Sequence, residues 1–212
     1  MVAAADLLCP WLDPRSGRTR WFDLPPADGG GYPGRSLEAG PSLEDRVRNC
    51  VESDALRVLA HDRRADRLVI LIEARIAELE LFLSSPVSAM GRGFTLCFQA
   101  ADMEAGGEVA RPLLLDLRSL GWQVRLEGCS VATFVAAAAR AAAVDQIVIH
   151  DVPQCSDRIV TRRLKMAVEL AHRSGIMLLA ANLPDDIALK PFAALGFDCV
   201  QRASSCPSRL SV

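Results

Sequence analysis

The 212-residue chain carries no excess of positive charge: 24 basic residues stand against 26 acidic ones, a formal net charge of −2. That removes the counterion release which drives nucleic-acid binding, and the attraction to anionic lipid, so neither partner is expected. Also missing is any run of ~18 uninterrupted apolar residues, the length a membrane-spanning helix needs. Residues 1–8 include Asp6 and no basic n-region, so no secretory leader is expected either. The seven cysteines (Cys9, Cys50, Cys97, Cys129, Cys155, Cys199 and Cys206) form no C-x-x-C pair, which excludes a zinc knuckle or a dithiol redox motif. Their odd number reads as reduced thiols in a soluble, cytoplasmic protein. Aromatics are scarce at 5%, yet Trp11, Trp21, Phe22 and Tyr32 crowd into the first 32 residues.

What is present is apolar material. Hydrophobic residues make up 50% of the chain and charged ones 24%, with a mean hydropathy of +0.19, enough for a substantial core. Proline and glycine concentrate in 24–41, where they interrupt helix and strand alike. Ser42 followed by Asp45 then opens a helix expected to reach about residue 61, with Leu43, Val47 and Val51 at helical spacing.

Beyond it, apolar runs of strand length at 68–72, 94–98, 123–126, 146–149, 176–180 and 197–200 alternate with helical segments at 104–120, 131–143, 157–173 and 185–195. One or two weaker strands are expected within 7–24. Continuous Val, Ile and Leu runs signal strands buried on both faces, and strand–helix alternation implies a mostly parallel sheet. The class is α/β. Periodicity alone leaves open a doubly wound sheet or a trimmed barrel, since an eight-stranded barrel takes about 250 residues and at least ~200.

The stretch VDQIVIHDVPQ, followed by TRRLKMAVELAHRSGIMLLAANLPDDIALKPFAALGFDCVQ, resembles the C-terminal half of EAL domains, the bacterial cyclic di-GMP phosphodiesterases. There a strand written like "LKID" leads to a helix ending "ALAHxLG", a strand "VVAEGVE" and then "LGCDxxQGY". Gly175, Gly196, Asp198 and Gln201 fall in register. Upstream, RSLGWQVRLEG resembles "LGVRLALDD", FTLCFQA resembles "LxLEITE", LVILIEAR resembles "LSVNLSAR" and PWLDPRSGRTRWFDL resembles "PIVDLRTGRIVGVEAL". The resemblance implies a TIM-like (β/α) barrel of EAL type, shortened or incomplete in its N-terminal half. Residues 1–41 would belong to the barrel or form an arm, and 42–212 would be the barrel domain.

The resemblance also implies what has been lost. EAL enzymes hydrolyse a phosphodiester with two divalent cations, Mg or Mn, held by oxygen ligands at the C-terminal mouth of the barrel. The Glu of the EAL signature falls on Asp23, the metal-binding Asn on Leu71 and the Glu of "EITE" on Cys97. The paired Asp residues fall on Glu127 and Gly128, the Lys and Asp of "LKID" on Val148 and His150, and the Glu of "AEG" on Ala181. Only Gln201 is unchanged. Asp23, Glu127, His150 and Gln201 are thus residual site positions, with no catalytic residue, metal or cofactor expected.

The expected function is a catalytically inactive EAL-like regulatory module acting on a protein partner or a second copy of itself, in a cyclic di-GMP-linked pathway. A non-hydrolysing cyclic di-GMP receptor is the alternative, because a pocket with a few polar groups can outlive its chemistry. A residual metal-dependent phosphodiesterase is the second. Trp11, Trp21, Phe22 and Tyr32 are candidates for an interaction surface or for plugging the trimmed barrel. Polar residues after strands, such as His150 with Asp151, more often cap helices or meet water than do acid–base work.

Overall fold

The computed structural model describes residues 8–24, 40–52, 68–130, 143–150, 152 and 158–205. Eight strands form a closed barrel in chain order: β1 (Cys9–Leu12), β2 (Thr19–Leu24), β3 (Leu68–Glu73), β4 (Phe94–Gln99), β5 (Gln123–Cys129), β6 (Gln146–His150), β7 (Met177–Leu183) and β8 (Cys199–Arg202). Strands β2 to β8 are parallel to their neighbours, whereas β1 is antiparallel to both β2 and β8. Closure excludes the open sheet. The ring itself is complete, and residues 9–24 supply two of its staves.

The described helices are α1 (Leu43–Glu52), α2 (Leu79–Leu83), α3 (Ala100–Ser119), α4 (Arg158–Arg173) and α5 (Lys190–Leu195). Helix α1 starts as its sequence requires: the Ser42 hydroxyl accepts the Asp45 N–H at 3.2 Å and donates to the Asp45 carboxylate at 2.6 Å. The expected continuation of that helix to residue 61 and the helix expected at 131–143 lie wholly or largely outside the described residues. Helix α5 is shorter than the 185–195 expected. The carbonyls of Pro184 and Ile187 accept from the Arg202 guanidinium at 3.1 and 3.3 Å, which commits this segment to a turn against β8.

Alternation along each strand divides two cores. Leu96, Phe98, Val124, Leu126, Ile147, Ile149 and Leu178 face outward and pack with Leu114 and Leu117 of α3 and Leu164 of α4. The opposite parity faces the lumen, where Trp11, Val148, Leu179, Ala181 and Cys199 form a separate apolar cluster. Cys9 is disulfide-bonded, which corrects the expectation of uniformly reduced thiols: an odd count guarantees one unpaired cysteine and excludes no single pair. Cys50, Cys97, Cys129 and Cys199 are free.

Candidate functional site at the barrel lumen

On β5 the inward positions are Gln123, Arg125 and Glu127, in register with Thr95, Cys97 and Gln99 of β4. They sort the lumen into three levels: a floor at Thr95 and Gln123, a waist at Cys97 and Arg125, and a mouth at Gln99 and Glu127. On the floor, the Thr95 hydroxyl and the Gln146 amide both donate to the Gln123 carbonyl, at 3.3 and 3.4 Å.

The waist holds a buried ion pair. Arg125 reaches from β5 to Asp23 on β2, three strands away around the ring, so the guanidinium crosses the lumen. Its Nη1 donates to Asp23 Oδ2 at 2.6 Å, its Nη2 to Oδ1 at 3.1 Å and its Nε to the Gln146 carbonyl at 2.7 Å. Trp11 Nε1 also donates to Asp23 Oδ2, at 2.6 Å, and the guanidinium lies 5.7 Å from the centre of the Trp11 ring. Both charged side chains are 1% exposed. Such burial is tolerable only because the pairing is bidentate and the remaining donors and acceptors are met. Burial works against the guanidinium's charge, but the adjacent Asp23 carboxylate more than offsets it and raises the Arg125 pKa. Beside it, burial pushes the Cys97 thiol well above its ordinary value, which keeps it protonated and unreactive at neutral pH.

At the mouth, Glu127 Oε1 lies 3.9 Å from Arg125 Nη1 while Oε2 lies 2.9 Å from His150 Nε2. The Asn182 side-chain nitrogen is 3.2 Å from His150 Nδ1. Both ring nitrogens of His150 are thus engaged, Nε2 by the Glu127 carboxylate and Nδ1 by the Asn182 side chain, which fixes the orientation of the imidazole. Gln201 differs: it is fully buried, and neither its side-chain nitrogen nor its oxygen has a hydrogen-bond partner among the described residues.

Two β-bulges shape this mouth, one between Leu126 and Cys129 and one between Ala180 and Leu183. Bulges gather at barrel rims because they re-aim side chains there. Gly128 takes a φ of +71°, and a Cβ at that position would lie 2.8 Å from Gln99 Oε1, so the backbone shape itself excludes most side chains. Asn182 has a φ of +59°, a conformation asparagine tolerates better than most residues. It stands where the EAL motif "AEG" has glycine, which supports the register that puts the motif's Glu on Ala181.

Of the residues singled out from sequence, Asp23, Glu127 and His150 are joined in one chain of contacts through Arg125, while Gln201 stands apart. Trp11 is 1% exposed in the lumen, which removes it from an interaction surface: the inward parity of β1 carries its ring onto Asp23. Trp21 is half-buried and packs toward Met177 and the lumen cluster, and Phe22 packs with Leu8 and Leu24. Tyr32 and Asp151 lie outside the described residues. Arg125 is the residue that sequence reasoning missed. Its signal is a positive charge at an inward position of a buried strand, where the resembling motif "LALDD" has alanine.

The donor set does not fit a pair of hard divalent cations. Both Asp23 oxygens are taken by Arg125 and Trp11, the one other matching carboxylate, Glu127, is engaged by His150, and the remaining matching positions include Leu71, a protonated Cys97, Gly128 and Ala181.

No family model and no curated protein matches the chain. Solved structures do. The EAL domain of Mycobacterium smegmatis DcpA is 18% identical with a TM-score of 0.63, over 93% of this chain and 89% of that one. The Xanthomonas citri FimX EAL domain, in complex with c-diGMP, is 16% identical with a TM-score of 0.62, over 94% and 85%. Klebsiella pneumoniae BlrP1, in a manganese and cyclic di-GMP complex, is 17% identical with a TM-score of 0.58, and this chain, matched over 92% of its length, spans only 53% of BlrP1. The likeness is one of fold, the mixed α/β barrel of EAL domains. Among the described residues, no helix is long and apolar enough to cross a membrane.

Proposed function

We propose that this chain is a catalytically inactive EAL-like regulatory module that acts through protein–protein contacts in a cyclic di-GMP-linked bacterial pathway. The observation that carries the reading is the state of Asp23. The carboxylate that would be the signature metal ligand is 1% exposed and held by a bidentate guanidinium and an indole N–H. A divalent ion would have to displace an arginine whose side chain is itself 1% exposed. In the register of the resemblance, an asparagine ligand is replaced at Leu71 and carboxylates are replaced at Cys97 and Ala181, which supports the same reading. On the outer surface, Met166 and Leu170, one turn apart on α4, are 63% and 40% exposed and offer apolar contacts to a partner or a second copy.

The second reading, a non-hydrolysing cyclic di-GMP receptor, is favoured by the unpartnered amide of Gln201, since FimX, of like fold, was solved with that nucleotide. Incubating the protein with cyclic di-GMP and millimolar manganese or magnesium tests the proposal: no hydrolysis is expected. Turnover that disappears in Glu127→Ala would overturn it in favour of a working phosphodiesterase. Calorimetric titration with the same nucleotide separates the remaining two, because saturable micromolar binding without turnover belongs to the receptor.

A further inference from the structure

We propose that the waist of the lumen is a cation site filled by the chain's own Arg125, which serves as a tethered counter-ion for Asp23 and Glu127. The geometry has the layout of a bound cation. One nitrogen, Nη1, faces a carboxylate oxygen from β2 at 2.6 Å and another from β5 at 3.9 Å, and the two acidic side chains are 1% and 4% exposed. The Gln146 carbonyl adds a neutral oxygen at 2.7 Å from Nε, and the Trp11 ring flanks the planar group.

Small neighbours make room for so long a side chain. Cys97 lies opposite Arg125 on the neighbouring strand, and Cys199 and Ala181 belong to the lumen cluster around Trp11. The positive charge at this level comes from within the chain, because Arg125 sets a permanent cation beside the Asp23 and Glu127 carboxylates. Asp23 and Glu127 are both buried in the lumen, and the arginine between them supplies a counter-charge that never dissociates. Removing the side chain would leave an acidic pocket of guanidinium shape. Its ligand class is therefore a small cation, with methylguanidinium as the closest probe and manganese as the spherical one.

Thermal unfolding of the full chain tests this. The midpoint of wild type is expected to be the same with a chelator, with millimolar manganese or with methylguanidinium. Arg125→Ala is expected to unfold at lower temperature and to recover in a saturable way as methylguanidinium is added at non-denaturing concentration. A variant that responds to neither cation, or a wild type that manganese stabilises saturably, overturns the proposal.

If Arg125→Ala does not fold, Arg125→Lys and Arg125→Met give a second reading. The lysine variant is expected to keep more stability than the methionine one, and the reverse order overturns the proposal. The inference rests on the non-hydrolysing reading for its biological sense, yet the two fail separately. Cyclic di-GMP turnover by wild type would sink the functional reading, whereas only unfolding midpoints bear on the tethered cation.

Discussion

At the waist of the barrel, the Asp23 carboxylate and the Arg125 guanidinium meet each other, Trp11 and Gln146 within 3.1 Å, whereas nearer the mouth the equally buried Gln201 amide has no hydrogen-bond partner among the described residues. Both levels carry a desolvation cost, and the charged waist carries the larger one. Only the waist recovers it, because a buried polar group costs about 1–3 kcal/mol when left unpaired and far more when charged. The waist is thus built for stability, with its polar atoms turned on one another. The mouth keeps, at Gln201, hydrogen-bonding capacity that the described residues do not use.

The contrast breaks first at Asp23. Asp23→Asn leaves the Arg125 charge buried without its counter-ion and is expected to cost about 3–5 kcal/mol in urea unfolding. Adding Arg125→Met to that variant is expected to recover most of the loss, since a neutral pair needs no compensation. A single variant within about 0.5 kcal/mol of wild type would mean that the pair contributes little.

A smaller effect of opposite sign is expected at the mouth. Gln201→Leu removes two unpaired polar atoms and should be neutral or stabilising by about 1 kcal/mol. A loss of that size instead would show that an ordered water serves the amide.

The smallest effect lies in the thiols. Burial pushes Cys129 and Cys199 up to about 12 from an ordinary value of 9.0, so the fold favours their protonated forms. Their stabilising contribution is whole below pH 9 and declines as pH rises through about 12, which unfolding midpoints measured across that alkaline range would register. Below it, neither thiol is expected to react with Ellman's reagent until urea is added.

The fold was legible because the strands announce themselves. A run such as QIVIH, apolar on both faces, suits a strand enclosed by lumen and helices, and the 146–149 expected became 146–150. The capping residues at Ser42 and Asp45 were equally local. The lumen was harder to read because its partners are distant in sequence: Asp23 and Arg125 are 102 residues apart, and nothing near either residue names the other. Trp11 misled for a different reason. Its neighbourhood of prolines, glycines and aromatics looks like exposed surface, while the fact that decides its place is the alternation of Cys9 and Trp11, both inward in a four-residue strand. The bulges at Gly128 and Asn182 left only a trace, a glycine and an asparagine at positions that need positive φ.

The seam of the ring joins β1 to β8 through the pairing of Leu12 with Val200, so the barrel closes across almost the whole described chain. Contacts that span so much sequence are formed late and slow folding, because loop entropy must be overcome before they contribute. Until β8 arrives, the outer edge of β1 is an unpaired strand, and β7 offers another on the opposite side of the gap. Each is a template for a neighbouring molecule. The order of assembly therefore matters to solubility as much as the finished barrel does: a substitution that delays the docking of β8 prolongs an aggregation-prone open ring, even where the closed state is unharmed.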